Sequence, residues 1–232
     1  MGLAGFSVHA DSMSNGRQLE MERLAGVSTE PRWPGAVAVV AVGMLNLLLP
    51  AGLSAGPGWI IVGVVAALAL GTLWFKRWHD WLGHTAAAVA TSQLALSLIA
   101  LIGDLTAHRG VPSDLLRAAL VMWSMNVIVF ASWYWRLDAG GPHRRSRHGI
   151  YCGGAFLFPQ MTLSNETRRA LGAEDWRPGF IDYLFVAFNT STAFSPTDVP
   201  VLSGWAKVLM MTQASISLIT LAMVAARAIN IL

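Results

Sequence analysis

Polar residues interrupt this chain so rarely that its hydrophobic pattern reads as whole apolar segments rather than as one face of each helix. Such runs cover 35–53, 58–75, 85–103, 114–135 and 205–232. Each is close to or beyond the ~20 mostly apolar residues that a bilayer-crossing helix needs, because backbone polar groups cannot be left unpaired in hydrocarbon. The interruptions are few: Asn46 is the strongly polar residue of the first run, Thr72 interrupts the second, and the Ala- and Leu-rich third has Gln93 in its middle. Lys76 and Arg77 close the second run. The fourth opens behind Pro112 and Ser113 and closes on Trp133, Tyr134 and Trp135, a cluster suited to the headgroup level. The pattern predicts an all-α, polytopic integral membrane protein with five clear transmembrane helices.

A sixth segment, 179–200, is apolar and aromatic in its first half. Its second half is mostly hydroxyls, with Asn189, Pro196 and Asp198. Two arrangements fit it. One is a sixth span with a polar outer end. The other is a re-entrant helix and loop, tolerated at membrane depth where protein or water surrounds it.

Composition narrows the class further. Hydrophobic residues make up 54% of the 232 and charged residues 12%, against roughly 25% charged in a soluble domain. A water-facing surface of the usual kind is therefore excluded. Whole-chain disorder is excluded as well, since apolar residues dominate and the net charge is only +3. The single cysteine, Cys152, rules out an internal disulfide framework and a cysteine-based zinc site.

Charge also sets orientation, because Lys and Arg concentrate in short cytoplasmic loops. With six spans and a cytoplasmic N-terminus, only Arg109, Arg117 and Lys207 of the 16 basic residues fall outside. That favours a multi-pass membrane protein with both termini in the cytoplasm. A re-entrant segment leaves five spans and puts one end on the other side. The domains expected are a disordered cytoplasmic tail over 1–33, a four-helix region over 34–136, a basic loop over 137–178, and a helix, polar loop and final helix over 179–232.

Polar groups inside a bilayer are costly and are candidates for function. Asn189, Thr190, Ser191, Thr192, Ser195, Thr197 and Asp198 form one cluster. Gln213, Ser217, Thr220 and Arg227 fall on one face of the last span. Such a stripe either lines a hydrated path or bonds a neighbouring helix, at about 0.6 kcal/mol on average. Asn46 and Gln93 read as interhelical hydrogen bonds. Gly63, Ala67 and Gly71 read as a close-packing face.

The histidine pairs His79/His84 and His143/His148 are five apart, a poor helical spacing for shared coordination, so no metal site is expected. No cofactor is implied. Nucleophile-elbow, zincin, P-loop and dinucleotide fingerprints are absent from the sequence, and an enzyme is the least supported class.

The C-terminal third resembles a family of uncharacterised bacterial membrane proteins, a domain of unknown function. The matching residues are Asp182, Tyr183, Leu184, Phe188, Thr192, Ala193, Asp198, Val199, Ala228, Asn230 and Leu232. More distantly it is similar to the pore helix, filter and inner helix of potassium-channel-like proteins, with Thr192, Asp198 and Pro200 in matching order. The resemblance implies a pore module and, from the bacterial family, a bacterial inner membrane as its location. However, no glycine occurs from Phe180 to Ser203, and a potassium filter needs glycines to turn successive carbonyls toward the ion.

The expectation is a channel-like pore for an inorganic cation or small polar solute, built as a homo-oligomer in the lipid bilayer and not a glycine-filter potassium channel. Asn189, Thr192, Ser195, Thr197 and Asp198 would form the constriction, and Gln213, Ser217 and Thr220 the vestibule. The alternatives are a non-conducting scaffold or accessory subunit, and a small-solute transporter. No nucleic-acid partner is expected.

Overall fold

A computed structural model describes residues 31, 33–50, 52–54, 58–74, 79–106, 111–148, 153–174, 176–192 and 199–229. Of the expected tail over 1–33, residues 1–30 and 32 lie outside them, as do 193–198, and Trp33 already belongs to a helix. The described residues form nine α-helices: α1 (Trp33–Asn46), α2 (Gly58–Trp74), α3 (His79–Thr106), α4 (Pro112–Leu137), α5 (Gly141–His148), α6 (Pro159–Thr162), α7 (Asn165–Ala170), α8 (Phe180–Thr192) and α9 (Gly204–Ile229). No β-strand occurs among the described residues beyond one isolated bridge between Phe156 and Val201.

The all-helical class is as expected, but the number of long apolar helices is smaller. Three stretches are long and apolar enough to cross a membrane: Trp81–Asp104, Ser113–Arg145 and Gly204–Ala225. The expected five or six are reduced for a physical reason. The first run is broken by turns at 47–49 and 52–54, which leaves α1 with 14 residues. α2 has 17. α8 has 13 residues, about 20 Å of helix at 1.5 Å each.

α4 sits at the centre. It packs against α1 and α3 on one side and against α8 and α9 on the other, while α2 lies beyond α1 and α3. Its burial runs all round: Ala118, Met122, Met125, Phe130, Ala131, Tyr134 and Trp135 are enclosed, as a helix surrounded by neighbours requires. α9 shows the reverse of soluble amphipathicity. Its buried side carries Gln213, Ser217 and Thr220, while Val208, Met211, Leu218 and Ile219 face outward. Exposed apolar side chains with buried polar ones suit a helix whose solvent is lipid.

At its C-terminal end α4 stops in a tight turn, Asp138–Gly140, with Ala139, Gly140 and Gly141 all at positive φ. A Cβ on Gly141 would stand 2.7 Å from the Arg136 carbonyl oxygen, so the turn closes only over a hydrogen. Around this end lies a ring cluster centred on Phe156, which meets Tyr134, Phe158, Tyr183 and Trp205 at centroid separations of 5.2 to 6.4 Å. Gly35 of α1 and Gly83 of α3 abut Trp135 and Arg136 here. α1 and α3 therefore start at the Asp138 end, and α4 returns to it.

α8 and α9 both leave from that same end. Tyr183, in the first turn of α8, donates its hydroxyl to Asp138 Oδ2 at 2.6 Å. Eight residues on, about 12 Å along the axis, Ser191 meets Gln213 of α9. Yet Val199–Leu202 is back beside 155–157: Leu157 N donates to Pro200 O at 2.9 Å and Leu202 N to Ala155 O at 2.7 Å. The chain thus descends along α8 and comes back to the end it left. Trp33 starts near Asp138 while α9 runs away from it. The first and last described helices so begin and finish at opposite ends; the termini themselves lie outside the described residues.

Two smaller expectations also change. Asn46 takes a hydrogen bond from Ser54 across the turn after α1, and Gln93 donates to Ser97 one turn along its own helix, so among the described residues neither forms the interhelical bond anticipated. Of the expected close-packing face, Gly71 does approach α3, where a Cβ would stand 3.3 Å from Leu82 Cδ1, but Gly63 and Ala67 are exposed, and a Cβ on Gly63 would meet nothing within 4 Å.

Candidate functional site

Where α4, α8 and α9 meet, a buried polar knot replaces apolar packing. Gln213 is its hub. The Tyr134 hydroxyl donates to Gln213 Oε1 at 2.5 Å, while Gln213 Nε2 donates to Ala187 O at 2.7 Å and Ser191 Oγ at 2.8 Å. Asn126 Nδ2 donates to the Gln213 backbone carbonyl at 3.2 Å and to Ser217 Oγ at 3.3 Å. Asn126, Tyr134, Ser191, Gln213 and Ser217 are all fully enclosed.

Local helix geometry explains the arrangement. Gln213 and Ser217 are four apart on α9, and Ala187 and Ser191 four apart on α8, so each pair stacks on one face. One amide that reaches two turns of α8 while accepting from α4 ties three helices together. The amide orientations follow from the network. A flipped Asn126 would aim an oxygen at the Gln213 carbonyl, and a flipped Gln213 would aim one at Ala187 O. Asn126 Oδ1 is left buried without a protein partner among the described residues.

Of the residues expected at the constriction, Asn189 is half-buried on α8, and Thr192 is exposed at its end with Oγ1 donating to Phe188 O at 3.0 Å. Ser195, Thr197 and Asp198 lie outside the described residues. Of those expected in the vestibule, Gln213, Ser217 and Thr220 do share the buried side of α9. Thr220 donates to Ile216 O in its own helix, a self-contained bond that membrane helices permit. The Arg227 side chain lies outside the described residues.

The sequence reading passed over Asn126 and Tyr134, the α4 half of the knot. Asn126 had a signal: it is the one amide in the middle of an apolar run and as conspicuous as Asn46 or Gln93. Tyr134 had none, since its place in the Trp133–Trp135 cluster suggests a membrane-surface anchor.

A second polar centre closes the α4 end. Asp138 is fully buried; its Oδ1 accepts from Ala155 N at 2.5 Å and its Oδ2 from Tyr183. Arg145 donates from Nη1 to the carbonyls of Trp135 at 2.9 Å and Asp138 at 2.7 Å, with its guanidinium 5.4 Å from the Tyr183 ring centroid. The first belongs to the last turn of α4, where carbonyls run out of intrahelical donors; the second, just beyond it, also accepts from Gly141 N.

The chain matches no protein-family model, no curated protein and no solved structure in the comparisons made.

Proposed function

We propose that the protein is a multi-pass bacterial inner-membrane protein whose α8, returning chain and α9 form a channel-like pore module for cations or small polar solutes. The observation that carries this reading is the path of the chain. α8 goes in from the Asp138 end, stops after about 20 Å, short of the ~30 Å of a hydrocarbon core, and Val199 is back where α8 began. A half-depth helix that returns to its own side is tolerated in a membrane only inside protein or against water. The same order of helix, return and long final helix is what the C-terminal resemblance implied.

In this reading α3, α4 and α9 cross, α1 and α2 form a hairpin that leaves the Asp138 end and returns to it, and α8 re-enters. The return of Val199, not helix length alone, sets α8 apart from the similarly short α1. The Arg-rich 136–177 region puts the Asp138 end in the cytoplasm by the positive-inside rule, which leaves the C-terminal end of α9 outside. Asn189 and Thr192 line the deep end of the module, and Ser195, Thr197 and Asp198, from the sequence, line the way back, with Asp198 at the mouth beside Val199. Selectivity then rests on side chains.

Ion flux into liposomes containing the purified protein, beside an Asp198→Asn control, tests the proposal. Cation flux that falls several-fold in the variant supports it; equal flux removes Asp198 from the mechanism. The second reading is a non-conducting scaffold. It is favoured by the closure of the polar knot, since Gln213 spends both amide groups on its own chain. Absence of flux across several ions and voltages, with a stoichiometric partner co-purifying, selects it.

A further inference from the structure

Both limbs of the hairpin are tied to one carboxylate. The descending limb is held directly, by the Tyr183 hydroxyl on Asp138 Oδ2 at 2.6 Å. The returning limb is held through one intermediary. Leu157 N donates to Pro200 O and Leu202 N to Ala155 O, which makes a two-bond antiparallel bridge. The next donor along that ladder, Ala155 N, turns instead to Asp138 Oδ1. The carboxylate thus takes the place of a strand partner and ends the ladder. Asp138 itself is fixed by the turn that closes α4 and by Arg145, whose guanidinium binds the Asp138 carbonyl and lies over the Tyr183 ring.

We infer that Asp138 is the positioning residue of a clasp. It sets where α8 descends and where the chain returns, and it couples the return to segment 155–157 of the cytoplasmic loop. This deepens the re-entrant reading and rests on it. The chemistry requires an acceptor that serves two donors from different segments at once. Asparagine can meet this in part: its Oδ1 accepts from Ala155 N, while its Nδ2 donates to the Tyr183 oxygen, which accepts as well as donates. Alanine meets neither need and leaves a buried N–H and a buried hydroxyl unpaired.

The test is hydrogen–deuterium exchange on the full chain in lipid nanodiscs, followed over peptides spanning 153–160, 180–187 and 199–205, with α2 and α3 as internal reference. Asp138→Ala is expected to speed exchange at 157 and 202 and in the first turns of α8 by about tenfold or more, with α2 and α3 unchanged. Asp138→Asn is expected to restore exchange to within a few-fold of the parent. Tyr183→Phe, which deletes only the hydroxyl, is expected to loosen the start of α8 and leave 199–205 protected. It also serves as the test if the alanine variant does not fold. Unchanged exchange in Asp138→Ala overturns the clasp, as does a rise spread equally over all helices, or Tyr183→Phe loosening 199–205 as much as α8. Liposome flux is read separately. The expected exchange pattern with no flux in the parent protein keeps the clasp and rejects the pore, while flux with unchanged exchange does the opposite.

Discussion

The Tyr134 hydroxyl and the Gln213 side-chain carbonyl meet at 2.5 Å in the interior, between a helix at the centre of the bundle and one at its edge. Removal of Gln213 takes a partner from three groups at once: the Tyr134 hydroxyl, Ser191 Oγ and Ala187 O, the last of which remains a helix acceptor. Single interhelical bonds in membrane proteins are modest, about 0.6 kcal/mol on average and 1.7 at most, so Gln213→Leu is expected to cost about 2 kcal/mol. Thr212→Ala next to it, exposed and bonded only to Val208 O, is expected to stay within about 0.5 kcal/mol. Reversible unfolding in mixed micelles checks both.

Arg136 occupies a slot that two glycines leave open. A Cβ on Gly83 would stand 1.8 Å from Arg136 Nη1, and one on Gly35 would stand 2.5 Å from the Trp135 ring. The guanidinium is buried and 5.4 Å from the centroid of that ring, so it has little room to withdraw. Gly83→Ala is expected to destabilise by about 1–3 kcal/mol, the range of overpacked cores. Gly103→Ala, in open space on the same helix, is expected to be neutral or to gain up to about 1 kcal/mol of helix propensity. Thermal stability of the two variants side by side decides it.

The turn after α4 allows a graded test of backbone strain. Gly141 combines φ +87° with the 2.7 Å approach to the Arg136 carbonyl, whereas Gly172, after α7, has φ +64° and open space. Gly172→Ala is expected to cost about 1–2 kcal/mol from left-handed backbone alone. Gly141→Ala is expected to cost more, since a Cβ there must also push backbone aside, and to lower the yield of folded protein. Comparison of the two by size-exclusion profile and melting temperature reads the difference.

Sidedness follows from the re-entrant path. Reporter fusions after Leu232 and before Met1 are expected to report opposite faces of the inner membrane, with the N-terminal fusion cytoplasmic. Fusions on the same face would mean that 180–200 crosses completely.

Much of this architecture is legible in the sequence, because a membrane helix announces itself by length and hydropathy. The runs that became α3, α4 and α9 have the required length whatever their neighbours do. The face shared by Gln213, Ser217 and Thr220 is equally local, a matter of steps of four and three. Segment 180–200 is different. A 13-residue aromatic helix with a polar end looks the same whether the chain goes on or turns back. The deciding contacts, Leu157 with Pro200 and Leu202 with Ala155, join residues more than forty apart. Asp138 is illegible for the same reason: beside Arg136 it looks like a surface charge, and only the return of 155 and 183 buries it. Asn126 was readable as a polar residue, though its partner on α9 was not.

A helix that halts partway through the bundle has an electrical consequence. The peptide dipoles of α8 sum toward its C-terminal end, which behaves as roughly half a negative elementary charge. Its last carbonyls have no partner within the helix itself. One is partly met, the Ser191 carbonyl by the Trp123 indole N–H at 3.5 Å, and the Thr192 hydroxyl turns back to Phe188 O rather than outward. In a crossing helix that charge would be spent in headgroups and water. In the re-entrant reading it is delivered instead beside Thr192, at the exposed end of α8. Whatever comes to rest there is met by a field that welcomes positive charge and repels negative.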